Sequence, residues 1–147
     1  MNQMLRPLLC PSLSRLSLLG LLLVATGCAS ATAPTPTGPY SATDIVVGTG
    51  AQAVTGNRIT VSYTGWLYDP TKVENKGTQF DSGASFAFTL GSAQVIRGWD
   101  QGVPGLRIGG LRRLVLPPDL AYGSRGSGSS IPPNATLVFD VKLLSIQ

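Results

Sequence analysis

Alternation of apolar and polar side chains with a period of two is the pattern that most limits what this chain can fold into. It is clearest over 136–146 and recurs over 58–67, 86–90 and 111–116. Successive side chains of a strand point to opposite faces, so such runs predict half-buried strands. The apolar positions of the clearest run are Leu137, Phe139, Val141 and Leu143. With 18 glycines and 11 prolines to form turns, we expect short strands in tight succession.

One segment, 95–103, can form at most two helical turns before Pro104 ends it. A helix this short is not stable alone and must pack on the sheet. The sequence therefore predicts an α+β fold, in which a twisted antiparallel β-sheet wraps over one short α-helix. The segments 68–78 and 123–133 are predicted to be loops, because glycine, proline and small polar residues concentrate there.

The absence of histidine removes several kinds of chemistry. No Ser–His or Cys–His nucleophile pair can form, and no histidine-based zinc site is possible. The formal net charge of +4 falls to +2 without Arg6 and Arg15 near the N-terminus. A charge this small, with Arg112-Arg113 as the one basic pair on a strand expected to be solvated, argues against nucleic acid as a partner.

The N-terminal segment has the pattern of a targeting signal. Arg6 and Arg15 supply positive charge, and the apolar run 16–25 is too short to span a bilayer comfortably. Small residues then lead into Gly27-Cys28, which resembles a bacterial lipobox. This resemblance implies that residues 1–27 are a lipoprotein signal peptide and that Cys28 becomes the lipidated first residue. A secreted protein with a chance cysteine and a retained transmembrane anchor are the alternatives.

Residues 28–39 carry the predicted lipid and continue as a small, polar, proline-rich segment that reads as a flexible tether. The globular domain is predicted to be 40–147. Each acyl-chain methylene that is buried in a membrane contributes about 0.8 kcal/mol to the free energy of anchoring. We expect a protein of the cell envelope, lipid-anchored to a membrane and facing the periplasm or the exterior.

Five motifs in order resemble those of FKBP-type peptidyl-prolyl cis-trans isomerases. They cover nearly all of 40–147, and together they are far more specific than any one alone. The motifs are 61–65 (VSYTG), 79–82 (QFDS), 95–100 (VIRGWD), 116–123 (LPPDLAYG) and 131–141 (IPPNATLVFDV).

The resemblance implies an apolar pocket that binds a prolyl ring. Trp99 would form its floor, the Ile96 N–H and the Tyr122 hydroxyl would hold substrate carbonyls, and Asp81 would accept hydrogen bonds that orient the site. The residues implied to be catalytic are Tyr63, Asp81, Ile96, Trp99 and Tyr122. Those implied to bind substrate are Phe80, Phe86, Val95, Ile131 and Phe139.

The implied activity is acceleration of X–Pro bond rotation in secreted or envelope proteins. Rotation makes and breaks no bond, so the site is expected to need no nucleophile, metal or cofactor and must instead favour the twisted amide. The implied partners are proline-containing unfolded or partly folded proteins, with a macrolide as a further ligand. We expect a monomer.

The sequence departs from compact family members at three places. The loop before Phe80 is longer, the segment between Asp81 and Phe86 is shorter and lacks an arginine, and 127–130 reads Ser-Gly-Ser-Ser. A binding module or chaperone without turnover, or an envelope lipoprotein that uses the fold as a scaffold, are therefore alternatives to an active isomerase. Singly, an aromatic residue on an apolar strand is more often core than ligand wall, and Asp81 can be a turn residue.

Overall fold

Five antiparallel strands form one sheet in the computed structural model, which describes Thr35 and residues 37–147. The predicted signal peptide, Cys28 and most of the predicted tether lie outside the described residues. The strand order is β1-β4-β5-β2-β3. The elements of this described part are β1 (Ser41–Val46), β2 (Arg58–Tyr68), β3 (Lys76–Thr89), α1 (Arg97–Gly102), β4 (Leu111–Leu116) and β5 (Leu137–Ile146).

The predicted fold class is confirmed, with two differences in the strands. The edge strand β1 was not predicted, because it pairs with β4 alone and five of its six residues are exposed, so it lacks a buried alternation. β3 begins ten residues earlier than the predicted run at 86–90. Its pairing with β2 extends to Tyr68 opposite Lys76, which shortens the predicted loop to a turn that contains the 3-10 helix Val73–Asn75.

The core lies between the concave face of the sheet and α1. The apolar residues of the clearest run, on β5, are all buried. Two glycines let the helix approach β4 closely: a Cβ at Gly98 would lie 2.5 Å from Leu116, and one at Gly102 would lie 2.7 Å from Leu114. This close approach fixes the position of Trp99, which follows Gly98 and is 4% exposed.

Ion pairs join strands of the sheet. Arg113 donates to Asp140 from Nε at 2.7 Å, and the Lys76 ammonium lies 2.8 Å from the other carboxylate oxygen. Burial alone would raise the pKa of Asp140, but the hydrogen bonds from Arg113 and Lys76 outweigh it and lower that pKa. Arg112 pairs with Asp44 on β1. The two arginines are therefore paired and largely buried, and the expectation of solvated side chains is wrong.

The end of the predicted tether contacts the folded domain. The Gly38 N–H donates to Oγ1 of Thr136 at 3.3 Å, and the Thr35 hydroxyl donates to the Pro133 carbonyl at 3.5 Å. Tyr68 covers Gly38, since a Cβ there would lie 2.8 Å from its ring. Among the residues that the structure describes, no helix is long and apolar enough to cross a membrane.

Candidate active site

A cavity of about 380 Å³ opens on the concave side of the sheet, above α1. Strands β2, β3 and β5, the segment before α1 and the segment after β4 all contribute to its wall. Volumes of this order are typical of small-molecule sites. The residues that line it are Tyr63, Phe80, Asp81, Phe86, Gln94, Val95, Ile96, Trp99, Tyr122 and Phe139.

Aromatic rings meet edge to face around Trp99. Its ring centroid lies 5.1 Å from that of Tyr63 and 5.4 Å from that of Phe139, with interplanar angles of 80° and 89°. Phe86 is 6.2 Å away at 78°. Edge-to-face pairs add roughly 0.5–1.5 kcal/mol each beyond the area that they bury. The cluster therefore holds Trp99 in one orientation at the base of the cavity.

The indole nitrogen of Trp99 is buried and, within the described part of the chain, has no hydrogen-bond partner. A buried donor without an acceptor costs about 1–3 kcal/mol. The cavity floor thus combines a tightly packed ring with a buried donor that has no partner among the described residues.

A hydrogen-bonded carboxylate forms the polar part of the wall. The Tyr63 hydroxyl donates to Oδ2 of Asp81 at 2.7 Å, and the Ser82 N–H donates to Oδ1 at 2.8 Å. Burial, together with the hydrogen bond to Asp81 and its negative charge, raises the pKa of Tyr63 to about 12. Burial and the Asp81 charge also raise the pKa of Tyr122. Both phenols are therefore neutral hydrogen-bond donors across the physiological range.

Two donors at the cavity are free of partners within the described residues. The Ile96 N–H, at the residue that precedes α1, donates no hydrogen bond there, and neither does the Tyr122 hydroxyl. Ile96 has extended backbone, φ −60° and ψ 146°, and its carbonyl accepts the first hydrogen bond of the helix from Trp99 at 2.9 Å. The cavity therefore offers an apolar base and unpaired donors at its wall.

Nine of the ten residues that the sequence singles out as a pocket line this cavity. Ile131 does not: its backbone pairs with Ser127, and its side chain lies in the core at 6% exposure. Gln94 also lines the cavity and was missed. Its position directly before Val95, at the start of the helix motif, was the available signal.

Two of the three altered segments differ in their relation to the cavity. The 127–130 segment closes as a turn through reciprocal backbone hydrogen bonds between Ser127 and Ile131 and contributes no lining residue. The segment between Asp81 and Phe86 contains a bulge, because Tyr63 pairs with Gly83 while Val61 pairs with Phe86. Asp81 and Phe86 both reach the wall from either side of this bulge.

A small antiparallel sheet packed on one helix thus carries an aromatic cavity with neutral donors at its wall. Comparison with known proteins gives the family. The model described as FKBP-type peptidyl-prolyl cis-trans isomerase matches residues 50–144. The chain belongs to this family and is a peptidyl-prolyl cis-trans isomerase.

Individual relatives agree with this assignment. The chain is 47% identical over 103 residues to a protein named FK506-binding protein from Neisseria meningitidis, a match that covers 70% of this chain and 92% of the relative. It is 49% identical over 92 residues to peptidyl-prolyl cis-trans isomerase Fkbp12 from Drosophila melanogaster, covering 63% and 82%. The crystal structure of an isomerase from Pseudomonas syringae is similar at a TM-score of 0.62 and 34% identity, covering 74% of this chain and 75% of that one.

Proposed function

We propose that this isomerase accelerates X–Pro rotation in proteins of the cell envelope by binding the twisted prolyl amide in the aromatic cavity. The observation that carries this proposal is the edge-to-face cluster around Trp99, beneath two neutral donors that have no partner within the described residues. An apolar floor of this kind suits a prolyl ring, and unpaired donors suit the carbonyls beside it.

Amide resonance explains why such a site can be catalytic. Rotation about the prolyl bond must overcome about 18–20 kcal/mol, because resonance is lost when the amide twists. The twisted carbonyl is less polar than the planar one, so water solvates it less well. A water-poor aromatic cavity therefore favours the twisted form relative to solvent, which is the condition for lowering the barrier. No proton has to move.

Each wall residue has a role in this mechanism. Trp99 supports the prolyl ring from below, and the Ile96 N–H and the Tyr122 hydroxyl donate to substrate carbonyls. Asp81, held by the Tyr63 hydroxyl and the Ser82 N–H, keeps the polar wall in one geometry. Fixed donors of this kind contribute by orientation, since they need no reorganisation during rotation. A macrolide of the FK506 type would compete with substrate for the same cavity.

The N-terminal sequence supports the proposed place of action. Arg6, Arg15, the apolar run 16–25 and Gly27-Cys28 support a lipid on Cys28, which would hold a monomeric domain at an envelope membrane. Thr35 and Gly38, near the end of the predicted tether at 28–39, contact the domain. Clients would be proline-containing chains that fold outside the cytoplasm.

A prolyl-peptide isomerisation assay tests the mechanism directly. The chain from Ala29 onward, which keeps every described residue, should raise the rate of cis-to-trans conversion well above the uncatalysed step of tens of seconds. An FK506-type macrolide should abolish the acceleration. A folded protein that binds the peptide without accelerating its rotation would point to a binding module instead.

A further inference from the structure

The segment 91–96 joins β3 to α1 and supplies part of the cavity wall. Gln94, Val95 and Ile96 all line the cavity. Two positions of the segment have left-handed backbone, Gly91 with φ 77° and Ala93 with φ 55°. A residue with a Cβ seldom adopts this conformation unless its surroundings impose it. Some other part of the molecule must therefore hold the segment in place.

The carboxylate of Asp100 holds it. The Gly91 N–H donates to Oδ1 at 2.8 Å, and the Ala93 N–H donates to Oδ2 at 3.2 Å. Each oxygen thus accepts from one of the two left-handed residues. Backbone donors that would otherwise lack partners in this tight segment are both satisfied by one side chain.

Asp100 also follows Trp99 directly on α1, and the helix is fixed against β4 by its two glycines. A single carboxylate therefore links the base of the cavity to the segment that carries the Ile96 N–H. A second contact ties the segment to the end of β3: the Thr89 N–H donates to Oε1 of Gln94 at 2.9 Å and fixes the Gln94 side chain. The spacing between ring floor and backbone donor depends on these links.

We propose that Asp100 is a positioning residue for isomerisation, which sets the place of the Ile96 N–H relative to Trp99. This inference rests on the proposed role of Ile96 as a donor to the substrate. Asp100 does not touch the cavity itself, so its effect on catalysis is exerted through the backbone of 91–96.

The test compares three substitutions in the chain from Ala29 onward. Asp100→Asn keeps one acceptor oxygen and turns an amide donor toward the other N–H. Asp100→Glu retains both oxygens on a longer stem. Asp69→Asn is the matched control, because Asp69 also accepts a backbone N–H, from Thr71 at 2.9 Å, in a turn that does not line the cavity. Thermal unfolding of each variant reports stability separately.

We expect Asp100→Asn to lower kcat/KM about tenfold, mainly through a higher KM, since a lost hydrogen bond to a charged group is of this size. Amide hydrogen exchange at Gly91 and Ala93 should accelerate by a similar factor, and Asp100→Glu should restore part of both. Asp69→Asn should leave kcat/KM unchanged. If folded Asp100→Asn matches the control in kcat/KM, the inference is overturned.

The design separates this inference from the proposed function. If the wild-type chain fails to accelerate prolyl rotation, the proposed mechanism is wrong. The role of Asp100 in positioning the Ile96 N–H is then tested by the affinity for a prolyl peptide. A prolyl peptide titrated by NMR should bind Asp100→Asn about tenfold more weakly than Asp69→Asn. Equal affinities of these two folded variants would overturn the role of Asp100 whatever the turnover.

Discussion

The Tyr63 hydroxyl and the Asp81 carboxylate lie 2.7 Å apart at the polar side of the cavity, on neighbouring strands whose pairing contains a bulge. The phenol donates and the carboxylate accepts. This contact raises the pKa of Tyr63, in addition to the effect of its burial, and it fixes the Tyr63 ring against Trp99. One hydrogen bond therefore couples the polar wall to the aromatic floor.

This coupling predicts a stability difference at alkaline pH. The pKa of Tyr63 rises from 10.0 to about 12 on folding, so folding favours the neutral phenol. Its contribution is fully present below pH 10 and is lost as the pH rises through 12. Tyr63→Phe, which has no phenol to ionise, should lose less stability between pH 9 and 11 than the wild type. Urea unfolding at these pH values measures the difference. If wild type and Tyr63→Phe lose the same free energy of unfolding between pH 9 and 11, the raised pKa of Tyr63 is contradicted.

Substitution at Trp99 separates the ring from its buried nitrogen. Trp99→Ala should destabilise the domain by about 3–5 kcal/mol and strongly weaken binding of a prolyl peptide. Trp99→Phe keeps an aromatic floor and removes the unpartnered Nε1 donor, so its loss of stability should be clearly smaller. Urea unfolding and peptide titration are measured together on both variants. Undiminished peptide binding by a folded Trp99→Ala protein would remove Trp99 from the site.

The close packing of α1 on β4 gives a prediction about the fold. A Cβ at Gly98 would lie 2.5 Å from a Leu116 methyl group, so Gly98→Ala should displace the helix and cost about 1–3 kcal/mol. Gln101→Ala, on the exposed side of the same helix, is the control and should be nearly neutral. Chemical denaturation compares the two. A Gly98→Ala protein as stable as the control would show that α1 has room to move.

The sequence predicted the strands whose apolar side chains alternate because one face of the strand is buried. Leu137, Phe139, Val141 and Leu143 alternate because one face of β5 is buried, and all four are in the core. β1 escaped prediction because an edge strand with exposed side chains leaves no alternation to read. The Tyr63–Asp81 hydrogen bond depends on the register and bulge between β2 and β3, which a local pattern does not encode.

Resemblance to a family supplied the predicted pocket residues, and the cavity lining differs from them at two positions. Ile131 follows a loop whose composition differs from that of compact members, and its backbone pairs with Ser127. Gln94 lines the cavity from a segment that contains the left-handed backbone at Ala93, and its residue type alone does not mark it as a wall residue. The coupling through Asp100 likewise depends on that backbone, so neither feature could be read from residue types.

The proposed lipid anchor gives a prediction for cells. Cys28→Ser removes the thiol that would receive the lipid, so the variant should leave the membrane fraction or accumulate with its signal segment uncleaved. Fractionation followed by mass measurement of the wild-type protein distinguishes acylated from unmodified Cys28. Recovery of both proteins in the soluble fraction, without added lipid mass on the wild type, would show that Cys28 is not an anchor.

The last prediction concerns pH and tests the proposed mechanism itself. We expect kcat/KM for a non-titrating prolyl peptide to be nearly flat from about pH 6 to 8. Histidine is the side chain that normally titrates there, and the chain has none. The pKa of Tyr63 is raised to about 12 and that of Tyr122 is raised as well, so both donors stay protonated over this range. Catalysis by proton transfer would instead give a bell-shaped profile that reports an acid and a base. Twisting an amide in a water-poor cavity moves no proton and gives no bell. A clear bell near neutrality, measured on protein shown to be folded at each pH, would falsify rotation by desolvation and orientation alone, while leaving the family assignment intact.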